Sequence, residues 1–126
     1  LFWDPVPGPQ VVQAAAQADI GLVPFLPTCL NHYYSTPNKL FEYMSAGLAV
    51  AGSDIPEIAS FVNEHRLGRL FDPYSPSDIA EALDGIALSG ELDQMKARAR
   101  QASEDRWNWE HEVQAYLRLV EKLLSR

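Results

Sequence analysis

At 126 residues the chain is long enough for one domain with a core and too short for two. Its 47% hydrophobic and 21% charged content is that of an ordinary globule, and no apolar run approaches the roughly 18–20 residues of a bilayer-spanning helix. A net charge of −7 excludes a general nucleic-acid or anionic-membrane surface, because both need a basic face.

Two further readings bear on context. The sequence opens at Leu1, inside the apolar run LFW, and is read as a piece of a longer protein cut near the start of a strand; no signal peptide is expected. One cysteine, Cys29, cannot form an internal disulfide, which fits a reducing cytoplasm, and a role as a small apolar filler is expected for it.

In chain order, LFWDPV is predicted as a short strand ending at Pro5, PGPQ as a turn and QVVQAAAQA as a small-residue helix. DIGLVPF is a contiguous apolar run, predicted as a buried strand, and LPTCLNHYYST as a polar, aromatic loop. A helix over Pro37–Ala46 follows, with Thr36 as its cap, Pro37 in the first helical position and Gly47 closing it. LAVAGS is a second buried strand, and DIPEIASFVNEH a helix with Asp54 placed to cap it. LGRLFD is predicted as a further strand, SPSDIAEALDGIA as a helix capped from Ser75 or Ser77, and the chain from Glu91 onward as almost wholly helical.

Strands without polar alternation, separated by helices, indicate parallel βαβ units. The fold class predicted is therefore α/β, a Rossmann-like parallel sheet with helices on both faces. In the last helix, Trp109, Val113, Tyr116, Leu117, Val120 and Leu124 form one apolar stripe. Such a stripe is expected to pack on the protein's own sheet, with a neighbouring domain as the alternative.

The helix at Pro37 carries the functional signal. With Thr36 as cap, the third residue should be Glu or Gln to complete a capping box, and it is Lys39. Of the ten Lys and Arg, Lys39 alone precedes Arg66. A cation at the positive end of a helix costs about 0.3–1 kcal/mol, offset only when an anion is bound. The amides of Asn38, Lys39 and Leu40 are then candidates to hold a phosphate, with the Ser35 and Thr36 hydroxyls adding to the grip. A surface pair between Lys39 and Glu42 is the competing explanation. Leu40, Phe41, Met44 and Leu48 form the buried face, which leaves Glu42 on the side of Asn38, Lys39 and Ser45, placed either to grip a ribose diol or simply to be solvated.

The run PNKLFEYMSAGLAVAGSDIPEI resembles the signature of the retaining, nucleotide-sugar-dependent glycosyltransferases of group 1 (family 4-type), which have two Rossmann-like domains in the GT-B architecture. ADIGLVPF and WNWEHEVQAYLRLVEKLL fall where that family has a strand and a terminal helix. The resemblance implies that residues 1–126 are the C-terminal, donor-nucleotide-binding part of the second domain, with terminal helices over about 91–126. It further implies that Glu42 binds the donor ribose, that Asn38, Lys39 and Leu40 cradle the diphosphate, and that Val6 lies beside the base. Many members carry a second glutamate eight positions before the first; Tyr34 stands there, so the donor-sugar contact is left to Asn31, His32, Tyr33 or Tyr34 as loop candidates. Ala49 replaces a usual Pro.

No catalytic residue is assigned among these 126, since the family's diphosphate-neutralising basic residues lie upstream and its acceptor site lies on the other domain. The expected partners are a nucleoside diphosphate sugar, as substrate, and the N-terminal acceptor domain of the same chain. No cofactor, protein-bound metal, nucleic acid or transmembrane segment is expected. The location expected is cytoplasmic, with peripheral membrane association of the full-length enzyme. An epimerase-like domain and a non-catalytic interaction or dimerisation module remain the alternatives. His65 and His111 are expected at the surface, His32 as either a sugar contact or a solvated loop residue, and Trp107 and Trp109 as packing anchors.

Overall fold

A computed structural model describes residues 4–125. The first three residues of the expected LFWDPV strand lie outside the described residues, and 4–7 are irregular. The PGPQ turn closes as a 3-10 turn, Gly8–Gln10, that runs into a short helix α1 (Val11–Ala15). Then come β1 (Ile20–Val23), α2 (Leu30–Tyr34), α3 (Asn38–Ala46) and β2 (Ala49–Ser53). They are followed by α4 (Pro56–His65), β3 (Gly68–Phe71), α5 (Pro76–Ala87), α6 (Leu92–Asp105) and α7 (Trp109–Leu124).

The three strands form one parallel sheet in the order β1-β2-β3, with Ile20 opposite Ala49 and Val50 opposite Gly68. This is the α/β, Rossmann-like arrangement predicted. All five residues of β2 are buried, as a central strand covered on both faces requires. Its alternation separates two cores. Val50 packs with Val23, Leu40, Met44, Ile58, Val62 and Leu67 beneath α3 and α4. Ala49 and Ala51 pack with Phe71, Ala82, Ile86 and Met95 beneath α5. α6 serves both, giving Ala99 to the first and Met95 to the second.

Two helix ends fall where their residues dictate. Gly47 closes α3 in the left-handed conformation (φ 71°), and the Leu48 amide donates to Tyr43 O at 3.0 Å. Ser75 caps α5, its hydroxyl accepting from the Asp78 amide at 3.2 Å.

Several expectations are corrected. The loop over residues 26–36 contains α2, opened by the Tyr33 amide bonding to Cys29 O at 2.9 Å; Cys29 is exposed and is no core filler. Asp54 does not cap α4. Its amide still pairs with β3 through Phe71 O at 2.8 Å, and the cap is Ile55, held extended by the proline after it. Ala49, where a proline is usual in the family it resembles, is the first residue of β2, and its amide donates to Asp19 O at 3.0 Å, a bond a proline cannot make. The apolar stripe of α7 packs on no sheet: none of its residues is buried, and Trp109 is 71% exposed. No helix of the described residues is long and apolar enough to cross a membrane.

Candidate functional site

Because α3 runs back into β2 through Gly47, its N-terminus lies towards the carboxyl ends of the parallel strands, where open α/β sheets hold ligands. The cap frame there differs by one residue from the reading of the sequence. Thr36 precedes a proline and is pushed out of the helical region, while Pro37 itself is extended (φ −71°, ψ 141°) and becomes the cap. Proline offers no side-chain acceptor, so the cap makes no side-chain hydrogen bond. Lys39 is accordingly the second helical residue, and the third is Leu40.

This changes the candidate cradle. The Leu40 amide is bonded to Pro37 O at 2.9 Å, and Leu40 is fully buried, so it is not a free donor. The amides of Asn38 and Lys39 have no partner among the described residues, and both residues are exposed. Of the five helices with nine or more residues, α3 alone has neither a side-chain cap nor an acid in its first turn. The positive end of its dipole is therefore uncompensated within the described residues.

Lys39 does not pair with Glu42; the single ion pair among the described residues joins Lys96 to Asp19 at 2.7 Å. Leu40, Met44 and Leu48 are buried as predicted, while Phe41 is half-buried against Phe61 and Trp107. Glu42 is half-buried and accepts no hydrogen bond among the described residues. Its charge is felt next door: burial first, and Glu42 second, hold the Tyr43 hydroxyl above its usual range.

The loop candidates are spread out. Tyr33 and Tyr34 pack edge to face at 4.9 Å and are exposed, as is Asn31. His32 is not a free loop histidine. It is half-buried, its ring meets Phe25 edge-on at 5.4 Å, and Nδ1 bonds to Thr28 Oγ1 at 2.9 Å. The Ser35 hydroxyl turns back to His32 O at 3.5 Å, so it is partly committed, whereas the half-buried Thr36 hydroxyl makes no hydrogen bond among the described residues. Val6 stands in irregular chain ahead of α1, and no hydrogen bond joins it to α3.

Asn38 and Phe41 also line a groove of about 470 Å³ whose other walls are Trp107, Asn108, Trp109 and Glu112. Trp107 is a packing anchor, meeting the Phe61 ring edge to face at 4.7 Å. Its indole N–H donates to His65 Nε2 at 3.0 Å, so His65 is a half-buried partner and not a surface residue. Trp109 anchors nothing among the described residues. Asn108 is spent on capping α7, accepting from the His111 amide at 2.8 Å while its own N–H groups satisfy Ser103 O and Glu104 O. The approach of Trp107 to α3 spans more than sixty residues of chain and left no local trace in the sequence.

The sequence profile of the glycosyl transferases group 1 matches residues 1–88. The chain belongs to that family. The matched region runs through α5, so it takes in the sheet, α3 and Glu42, and leaves α6 and α7 beyond it. Neither the curated proteins nor the solved structures contain a match. A role in glycosyl transfer, with a nucleotide-sugar donor implied by the family, thus attaches to the part of this glycosyl transferase chain that carries the open helix start.

Proposed function

We propose that this chain is the donor-binding half of a retaining glycosyltransferase of GT-B architecture. It would take a sugar from a nucleoside diphosphate sugar to a hydroxyl acceptor, in cell-surface glycan or glycolipid synthesis. The observation that carries the reading is the start of α3, where the Asn38 and Lys39 amides are unpartnered and neither a cap nor an acid competes with an incoming anion. Those two donors, with the Lys39 ammonium and the Thr36 hydroxyl, hold the diphosphate in this reading. Ser35 contributes only by leaving His32 O. Glu42, one turn along, takes the ribose diol.

The chemistry asked of these residues is electrostatic: negative charge grows on the diphosphate as it departs, and preorganised amides and an ammonium stabilise it without reorganising. In this reading the acceptor is held by an N-terminal domain of the same longer chain. Residues 1–126 alone bind nucleotide and do not turn over. The location is cytoplasmic, with peripheral membrane contact made by the complete enzyme.

Titration of the chain with UDP, GDP and ADP, followed by amide NMR, tests the reading. Saturable shifts at Asn38, Lys39 and Glu42 are expected, and Glu42→Gln, which loses a charge-assisted bond, is expected to weaken binding about ten- to a hundredfold. A folded sample whose amides stay still at millimolar nucleotide overturns it.

A further inference from the structure

β2 is buried along its whole length and apolar until its last residue, Ser53, which is 0% exposed. A hydroxyl in that position must find partners or be costly to bury. It finds two, both on the neighbouring strand's exit: Ser53 Oγ accepts from the Phe25 amide at 2.7 Å and donates to Val23 O at 3.2 Å. The reason for the arrangement lies in the sequence of the exit. Pro24 has no N–H to extend the β1–β2 ladder past Val23, so the next donor, on Phe25, has no strand partner.

We propose that Ser53 is a positioning residue for the donor site, an inference that rests on the donor reading above. Its hydroxyl fastens the point where the chain leaves β1 and so sets the path of residues 24–36 to the start of α3. The segment is tied onward from that point. The Phe25 ring meets His32 at 5.4 Å and 74°, His32 Nδ1 bonds to Thr28 Oγ1 at 2.9 Å, and Ser35 Oγ returns to His32 O at 3.5 Å. Every one of these contacts is internal to residues 25–35; the buried bonds of Ser53 join them to the sheet. The Phe25 side chain also packs on the core beneath α3 and α4, and α2 lies against α4; without the Ser53 hydroxyl the segment keeps these contacts and loses the two bonds that fix its backbone where it leaves β1.

The test uses Ser53→Ala and Ser53→Thr, with UDP as the probe and amide NMR as the readout. In Ser53→Ala, exchange of the Phe25 amide is expected to rise about tenfold or more while the Val50 and Leu70 amides keep their protection. UDP affinity, measured well below the unfolding temperature, is expected to fall about fivefold or more. Ser53→Thr, which keeps the hydroxyl, is expected to restore both. If Ser53→Ala does not fold, Ser53→Cys carries the same expectation, because a thiol is a weak acceptor. A folded variant that binds UDP as the unmodified chain does, or a threonine that restores neither reading, overturns the positioning role alone. Failure of the unmodified chain to bind any of UDP, GDP or ADP overturns the donor reading, and this inference with it.

Discussion

Lys39 shows how a single side chain can be unfavourable to its own helix. It occupies the second position of α3, is exposed, and has no carboxylate in pairing distance among the described residues. Reversing its charge should therefore have opposite effects on two observables. Lys39→Glu is expected to stabilise the unliganded protein by about 0.3–1 kcal/mol, the usual gain for an acid in a first turn. The same variant is expected to bind nucleoside diphosphate more weakly, because an anion now faces the phosphates. Denaturant melts and nucleotide titrations on one sample check both; a variant improved in both would place the anion elsewhere. The sign of this argument was legible in the sequence, since Lys39 and the absence of an acid in the first turn can be read directly. Which amides remain free was not. The backbone of Pro37 moved the cap by one residue and committed the Leu40 N–H to Pro37 O, which removed one of the three donors expected.

At the scale of elements, α3 lies flush on β1 because Gly21 has no side chain to hold it off. A Cβ there would sit 2.3 Å from the Tyr43 ring. The price of that close packing is a half-buried phenol beside Glu42, and both burial and the Glu42 charge oppose its ionisation. The sign of the pH dependence follows. The folded protein holds the Tyr43 proton more tightly than the unfolded chain does, so this contribution to stability is complete below the ordinary tyrosine value of about 10 and declines as pH rises through the higher folded value. Urea midpoints of the unmodified chain and Tyr43→Phe should therefore run parallel at neutral pH and diverge above about pH 10, with the unmodified chain falling faster. Parallel curves throughout would mean the hydroxyl is solvated. The elements themselves were largely readable: β1, β2, β3, α3, α4 and α5 follow from apolar runs, Gly47 and Ser75. α2 was not, because a five-residue helix is too short for a 3.6-residue period to declare itself against a polar, aromatic loop.

The whole molecule divides into a packed α/β body and one helix outside it. α7 has an apolar stripe but no buried residue, and its side chains contribute nothing to either core cluster. Removing residues 109–126 is accordingly expected to change the unfolding free energy by no more than about 0.5 kcal/mol, as surface changes do. In the intact chain the α7 amides should be the fastest helical amides to exchange, since a helix of 16 residues without tertiary packing is marginal in water. A large loss of stability on truncation would mean that the stripe is covered in solution.

What the sequence determined by itself is the part governed by short-range physics: the alternation of strand and helix, the buried face of α3, the glycine that ends it, and the family signature around Glu42. What only the tertiary structure decided is the part that joins distant residues. Ser53 meets Phe25 across 28 positions, the Trp107 indole meets His65 across 42, and Ser45 meets Ser103 across 58. Periodicity and capping rules reach no further than a few residues along the chain. A buried hydroxyl takes whichever donor the packing of β1 against β2 brings within reach, and an apolar stripe reveals that it needs a partner without revealing where the partner is.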